Sequence, residues 1–571
     1  MSTPREIFLE MLSPNGRPER ILDQYEALAM MTADPINAYL RGNRVRGTTS
    51  VDRWGTTIVW PADAPGPMPD TADDKKVLRD ITHWRDYVHA PDIESNCTTG
   101  WEDICAKAEA VRGEKLVAGF MGTGMFEQCH FLMGFEDTLS NLYEHPDEMH
   151  ELIDYICDYR MRYVKMLIDN LHPDVVFSHD DWGTKTQLFM NPEMWREFFK
   201  EPYRKFYGYI RSRGVIAIHH GDAYLADIVE DMAEIGIQCW QGVLPENDIP
   251  ALQERLGGRM ILMGGIGAAI DRADASESEI RSYVRAQLEA NCPGGHYIPS
   301  ITYGLPGAVF PQVDAAIDAE IAAWNSEVHL HGAHRAPIVR RGTARTASAA
   351  AAETQAEPES AGALEDIAAA LRKGRRKKVL ELVEAALDAG FDAQDILTNG
   401  LVKGMQLLGD DFSAGRAFVP EMLVAARAMN SATERLKPLL TAGGQKSVGR
   451  VCLGTVRGDM HDIGKNLVKI MMEGAGLEVI DLGVDVSAEQ FVDTAVNKHC
   501  DIIACSALLT TTMDEMRRVV ELSRERGIRD SVSIMIGGAP ITQAYCDEIG
   551  ADCYTEDAAQ AAKAAVRLLA G

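Results

Sequence analysis

Short apolar runs alternating with long amphipathic stretches dominate this chain, and they restrict it to architectures in which strands and helices take turns. Leu116–Phe120, Val175–Ser178, Val215–His219, Gln238–Gln241, Met260–Met263 and Tyr297–Ser300 read as buried strands. Between them, Pro146–Leu171, Pro192–Arg213, Ala223–Ile235 and Glu277–Asn291 carry helical periodicity. Such β-then-α units predict a (β/α)8 barrel over residues 1–332, with functional side chains at the carboxyl ends of the strands. The pattern then breaks. Residues 333–362 are rich in Ala, Thr, Glu and Ser without an apolar period and read as a flexible linker. Residues 363–442 are helical in pattern throughout, and 447–571 return to alternation, closing on the helix Ala558–Leu569. The expected fold class is multidomain α/β: barrel, helical bundle, and a doubly wound, Rossmann-like C-terminal domain.

The most specific pattern lies in that last domain. The run Val448–Val456 leads into Asp459-Met460-His461-Asp462-Ile463-Gly464, and the amphipathic segment Lys465–Met472 comes next. This is a strand–loop–helix with a histidine at the strand's carboxyl end, where open parallel sheets bind ligands. Asp459 is placed to hydrogen-bond one ring nitrogen of His461 and leave the other for a metal. Taken alone, His461 reads more readily as a capping or solvated loop histidine. Further on, Ser506-Ala507-Leu508 closes the run Asp501–Cys505, and Gly537-Gly538 closes Ser533–Ile536.

In this order the three motifs resemble the cobalamin-binding domain of methionine synthase and the corrinoid proteins of methyl-transfer systems. The resemblance implies that His461 is the lower cobalt ligand in place of the cofactor's own benzimidazole. It also implies that the displaced nucleotide tail runs past Ser506 and Leu508, with Gly537 and Gly538 leaving its channel clear. Gly464 completes the histidine motif. The bundle's Met405, Phe412, Val419 and Met422 would otherwise be core residues. Directly upstream of this domain the bundle resembles the helical cap of methyl-carrying proteins, which implies that they shield the upper corrin face. Cobalamin-dependent mutases lack that cap, so methyl transfer is expected over radical isomerisation.

In the barrel, polar residues gather at the strand ends: His179, Asp180 and Asp181 after one strand, His219, His220 and Asp222 after the next, then Gln241, Gly264-Gly265, His296, Ser300 and Tyr303. With Asn191-Pro192-Glu193-Met194-Trp195, this layout is similar to the uroporphyrinogen-decarboxylase superfamily, which includes methyltransferases that work with corrinoid proteins. The decarboxylase's arginine-rich signature is not recognisable in Met1–Asp52. The thiol methyltransferases of the group hold zinc with His-x-Cys-Gly and a later Cys. Here the tetrad is Ile218-His219-His220-Gly221, and Ser300–Gly304 has no Cys. A zinc ion would find only His and Asp, so zinc activation of a thiol is not expected. Donor chemistry fits better. An alkoxide or phenolate leaves poorly unless a proton or Lewis acid meets its oxygen, and His179, Asp180, Asp181, His219, His220, Asp222 and Tyr303 include groups for either role. Because His219 and His220 are adjacent, one of them should face away from the site. The two aspartates could instead cap a helix, Gly264-Gly265 reads as a tight turn, and Cys239 and Cys292 read as core thiols.

A formal charge of −28 argues against a nucleic-acid partner held through phosphates. Arg372–Lys378 reads as a solvated helix face. The 11 cysteines include no Cys-x-x-Cys pair, and neither a signal peptide nor a membrane-spanning run is evident, so a cytoplasmic protein is expected. The sequence thus predicts a corrinoid-dependent methyltransferase. It would move a methyl group from a small donor, an O-methyl compound such as a methoxylated aromatic, to Co(I) of its own corrinoid. Its partners would be a second methyltransferase using tetrahydrofolate and a reductive activase for Co(II); whether it forms a homodimer is open. The alternatives are methyl transfer to a thiol acceptor, a halomethane donor, or a non-catalytic corrinoid carrier or sensor.

Overall fold

The structure, a computed structural model, describes residues 2–42, 44–62, 66–301, 309–327, 359–441, 449–459, 463–507, 512–538 and 541–569. Tyr303, His461, Leu508 and nearly all of the expected linker lie outside these residues.

Among the described residues the N-terminal region has seven parallel strands where eight were expected: β1 (Leu28–Met31), β2 (Leu116–Met121), β3 (Val175–His179), β4 (Ile216–His220), β5 (Cys239–Val243), β6 (Ile261–Ile266) and β7 (Tyr297–Ile301). They pair in strict sequential order. Leu28 of β1 and Ile298 of β7, at opposite edges, share one buried cluster with Ala118, Phe177, Ile218, Cys239 and Met263. The sheet is therefore rolled into a barrel whose interior these alternating residues fill. Five helices position the barrel's mouth and its neighbours: α1 (Pro35–Arg41), α2 (Met125–Met133), α3 (Phe135–Glu144), α4 (Pro146–Leu171) and α5 (Pro311–Glu327). A small antiparallel sheet, Thr48–Val51, Thr57–Trp60 and Met68–Pro69, lies beyond α1.

Two sequence expectations change here. Gly264 and Gly265 lie within β6 and form no turn. Both have positive φ, and a Cβ would stand 2.4 Å from the Val243 carbonyl oxygen or 2.5 Å from the Tyr297 hydroxyl, so close packing of the barrel wall requires them. His296 precedes β7 at its amino end, away from the other strand-end residues, and bonds the Met11 carbonyl at 2.8 Å. Cys239 and Cys292 are buried, as a core role requires.

The helical bundle consists of α6 (Glu359–Arg372), α7 (Arg376–Asp388), α8 (Lys403–Ser413) and α9 (Val419–Thr441). The C-terminal domain is a five-stranded parallel sheet of β8 (Arg450–Thr455), β9 (Glu478–Asp481), β10 (Ile502–Ser506), β11 (Ser533–Gly537) and β12 (Cys553–Thr555), in the order β9-β8-β10-β11-β12. Its helices α10 (Ile463–Gly474) and α11 (Ala558–Leu569) face the bundle. Apolar packing is continuous through the molecule: Met149 and Phe199 of the barrel region, Leu436 of α9, Met472 of α10 and Ala565 of α11 belong to one cluster. Among the described residues no helix is long and apolar enough to cross a membrane.

Candidate functional sites

At the barrel mouth, one loop and two strand ends set the geometry. The β2–α2 loop, Gly122-Thr123-Gly124, is fixed from both sides. Arg160 of α4, 3% exposed, donates to the Gly122 and Thr123 carbonyls and to the Ser178 hydroxyl. Asp180 accepts the amide hydrogens of Phe126 and Glu127 at 3.0 and 2.9 Å, the Trp182 indole N–H at 3.0 Å, and the Tyr203 hydroxyl. Fully buried and four times bonded, Asp180 caps α2 rather than facing a substrate. That corrects its expected place in the reacting set. Gly124 is obligatory, since a Cβ there would lie 2.0 Å from the Asp180 carboxyl carbon.

Because neighbouring strand residues face opposite ways, His219 and His220 part company. His219 is fully buried, stacks on Trp182 with ring centroids 4.1 Å apart, and bonds the Tyr207 hydroxyl through Nδ1 at 2.8 Å. It belongs to the framework, the one of the two adjacent histidines that strand alternation turns away from the site, and so leaves the candidate reacting set. His220 faces the mouth and bonds the Gln241 side chain through Nδ1.

His179, Asp181 and His220 converge at that opening, each offering a ligand or proton-carrying atom within 4.8 Å of the other two. His179 Nε2 lies 3.4 Å from Asp181 Oδ2, and its Nδ1 lies 3.6 Å from Glu127 Oε2. Burial would lower the His179 pKa, but the charges of Glu127 and Asp181 outweigh it and hold the ring protonated up to about 10. Burial raises Glu127 to about 7 against the attraction of His179. Burial, with His179 alongside, lowers His220 to about 4. Asp181 is pulled down by His179 despite its burial, whereas burial and Asp181 push Asp222 well up. The Asp222 amide donates to Asp181 Oδ1 at 3.1 Å, tying the two loops together. The mouth therefore holds a cationic imidazole between carboxylates, beside a neutral one. The same three residues could hold a metal ion, His220 through its Nε2.

Glu127 escapes strand-end reasoning because it sits three residues beyond Gly124, on α2, where its carboxylate accepts the Gly124 N–H at 3.1 Å. The visible signal is a Gly-rich loop after the run Leu116–Phe120 with Glu three residues after its last glycine, an N-terminal capping pattern.

In the C-terminal domain, Thr455, Ser506, Gly537 and Thr555 pair across four neighbouring strands and line the sheet's carboxyl edge with small residues. Among the described residues a Cβ on Gly537 would meet nothing nearer than the Thr555 carbonyl oxygen at 3.5 Å, so none of their atoms forbids a side chain there. Gly538 differs: at φ +133° its Cβ would lie 1.8 Å from the Ala507 carbonyl oxygen, so chain packing alone requires it. Asp459 is fully buried, its carboxylate accepting from the Thr512 hydroxyl at 3.3 Å, and Gly464, five residues on, is exposed. Among the described residues this edge of small polar side chains and glycine leaves room that suits a corrinoid.

The bundle residues give a different result. Met405, Phe412, Val419 and Met422 are all buried. A Cβ on Gly474 would lie 3.3 Å from Met405, placing Met405 at the far end of α10. That point is about 17 Å along the helix from the histidine loop at 1.5 Å per residue. In this arrangement Met405 seals the bundle against α10 and does not overhang the cofactor edge. The other end of the bundle meets the barrel: Glu421 accepts from the Tyr143 hydroxyl at 2.6 Å and the Asn191 amide at 3.1 Å, and Arg427 pairs with Asp137 and Glu144.

Comparison with known proteins agrees with this division. The uroporphyrinogen decarboxylase (URO-D) family model matches residues 69–319, and two B12 binding domain models match 363–437 and 449–565. Dimethylamine corrinoid protein 3 of Methanosarcina acetivorans is 44% identical over 208 residues, 36% of this chain and 97% of the relative. Trimethylamine corrinoid protein 1 of the same organism is 46% identical over 180 residues, 31% of this chain and 83% of the relative. A solved methanol:cobalamin methyltransferase complex from Methanosarcina barkeri is 31% identical with a TM-score of 0.34, over 38% of this chain and 87% of that one. Fold and family matches together define a corrinoid-dependent methyltransferase. The chain belongs to the corrinoid protein family through its C-terminal module, fused here to a uroporphyrinogen-decarboxylase-type barrel.

Proposed function

We propose that the barrel takes a methyl group from a small O-methyl donor, in the first instance a methoxylated aromatic, and presents it to the corrinoid of the same chain for onward transfer to an acceptor such as tetrahydrofolate. One observation carries this reading: at the barrel mouth His179 lies between Glu127 and Asp181, 3.6 and 3.4 Å from their carboxylate oxygens, and those charges favour its protonated form. When bound, the corrinoid supplies a Co(I) nucleophile for the methyl carbon. As the carbon–oxygen bond breaks, its electron pair passes to oxygen, and His179 donates a proton there, so that a phenol rather than a phenolate departs. A donor with a pKa near 10 is well matched to a phenol, and Asp181 and Glu127 keep it charged until the bond yields. His220 and Gln241 form the adjoining wall. His461 would hold the corrinoid from below, with Asp459 orienting it, and Ser506, Leu508 and Gly537 would flank the tail. A second methyltransferase and a reductive activase are the partners this scheme requires.

The convergence of His179, Asp181 and His220 favours a second reading, in which the three hold a metal ion that acts as Lewis acid on the same oxygen.

The test is anaerobic single turnover of the reduced holoprotein with methoxyarenes, methylamines, methyl sulfides and halomethanes, monitored by corrinoid absorbance and product analysis. Methoxyarenes should yield the phenol. Asp181→Asn and His220→Ala should slow that step about 100-fold with corrinoid retained, and His461→Ala should change the corrinoid spectrum. Reaction with methylamines alone would overturn the donor assignment, and a stoichiometric metal lost in Asp181→Asn would select the Lewis-acid reading.

A further inference from the structure

Beside the barrel mouth lies a cluster of rings that proton donation by His179 does not use. His130 sits on α2 three residues beyond Glu127, so the two side chains share one face of the helix. Its ring centre lies 5.5 Å from that of Phe126, 5.1 Å from Phe131 and 6.0 Å from Phe135 at the start of α3. Phe189 closes the group, 4.9 Å from Phe135 and stacked on Phe126 at 5.7 Å. The Phe189 amide donates to the Trp182 carbonyl at 2.8 Å, which holds that residue beside the stretch that begins at Asp181. The cluster therefore adjoins the opening shared by Glu127, His179 and Asp181.

Phe126 is buried, but His130, Phe131, Phe135 and Phe189 each keep part of their surface accessible. Among the described residues no group hydrogen-bonds either ring nitrogen of His130, and neither nitrogen is sealed from solvent. Burial nevertheless lowers the His130 pKa to about 4, so the ring is neutral at pH 7 and carries one N–H and one lone pair. An imidazole so crowded, yet with free nitrogens, belongs to the wall of a recess rather than to a convex surface. The recess offers aromatic faces and edges, a neutral donor and acceptor, and no cation of its own.

We propose that this recess is a specificity site for the aromatic ring of the methyl donor, and that His130 reads a hydroxyl group on that ring while the methoxy oxygen lies at His179. The donor class is then methoxyphenols rather than methoxybenzoates. The inference rests on the O-methyl reading and narrows it. A phenol can donate its O–H to the free lone pair of His130 or accept from its N–H, and its ring fits edge-to-face against Phe131 and Phe135. A carboxylate in the same place would lose its hydration without meeting a positive charge, beside the carboxyl groups of Glu127 and Asp181. A plain aromatic ether fits the rings but leaves the His130 nitrogens stripped of water and without a partner.

Two measurements on the full-length holoprotein test this. First, phenol, which has no methyl group to transfer, is titrated calorimetrically against wild type, His130→Phe and His130→Asn, with benzoate as the charged comparison. Wild type should bind phenol more tightly than benzoate. His130→Phe keeps an aromatic ring but no hydrogen-bonding group, and should weaken phenol binding about tenfold, with partial recovery in His130→Asn. Second, anaerobic single turnover compares 2-, 3- and 4-methoxyphenol with methoxybenzene and 4-methoxybenzoate. One or more of the methoxyphenols should have a lower KM than either comparison donor. His130→Phe should raise that KM about tenfold, far more than the KM for methoxybenzene, with kcat the lesser change. Absence of phenol binding or tighter binding of benzoate by wild type would overturn the site. So would equal handling of methoxyphenols and methoxybenzene by wild type, or equal KM changes for both in His130→Phe. Phenol binding that depends on His130, in a protein that demethylates no methoxyarene, would instead keep the recess as a phenol site and remove the O-methyl reading.

Discussion

Asp180 and Asp181 are sequence neighbours with opposite duties, and the reason is burial with saturation. Asp180 accepts four hydrogen bonds inside the protein, whereas Asp181 keeps an oxygen toward His179 at a partly open mouth. No motif separates the two, because the partners of Asp180 come from α2 and from Tyr203, remote in sequence. The strand end is legible in the sequence; the division of labour within it is not. His219 and His220 are easier, since strand alternation alone dictates that one faces out. A residue far from the mouth tests the electrostatics independently. Burial, with Asp318 opposite it, raises Asp23 to about 7. In the unfolded chain this carboxyl loses its proton near pH 4, so the native state binds more protons between there and about pH 7, and stability falls as pH rises through that window. Asp23→Asn should therefore raise the thermal midpoint, and by more at pH 8 than at pH 5; equal gains would show that Asp23 is not protonated in the native protein.

At the scale of elements, periodicity locates the long amphipathic segments closely: Pro146–Leu171, Glu277–Asn291 and Ala558–Leu569 form helices with those limits. Strands β2 to β7 fall within three residues of their expected places because each is a β-rich apolar run between loop residues. The first barrel strand, Leu28–Met31, and the small antiparallel sheet leave no comparable signal, being short and only partly buried. The β2–α2 loop is silent for another reason: its importance lies in tertiary bonds from Arg160 and Asp180, which leave no periodic trace. That loop can be broken cleanly. Gly124→Ala places a methyl group inside the Asp180 carboxyl, so α2 must shift and carry Glu127 away from His179. We expect a loss of about 1–3 kcal/mol in unfolding free energy, the range for overpacking. Barrel turnover should fall sharply, while the corrinoid spectrum of the holoprotein stays that of wild type.

Over the whole molecule, the order of the parts is readable from residue patterns, but how they adhere is not. From its pattern the bundle resembles a cap for the cofactor domain; in the structure it also grips α3 of the barrel through α9, with Arg427 between Asp137 and Glu144 and Glu421 reaching Tyr143 and Asn191. These groups are partly exposed, so Arg427→Ala should lower stability by no more than about 1 kcal/mol. It should nonetheless speed amide hydrogen exchange in α3 and α9 selectively, and unchanged exchange there would deny the contact any role in solution. The buried seam running from barrel through bundle to α10 and α11 bears on kinetics as well as stability. A methyl source and its carrier that share a single oily interior meet at a local concentration fixed by covalent and packing geometry. The first transfer should then proceed at the same rate per chain after a hundredfold dilution, whereas systems built from separate subunits would slow as their encounters became rare.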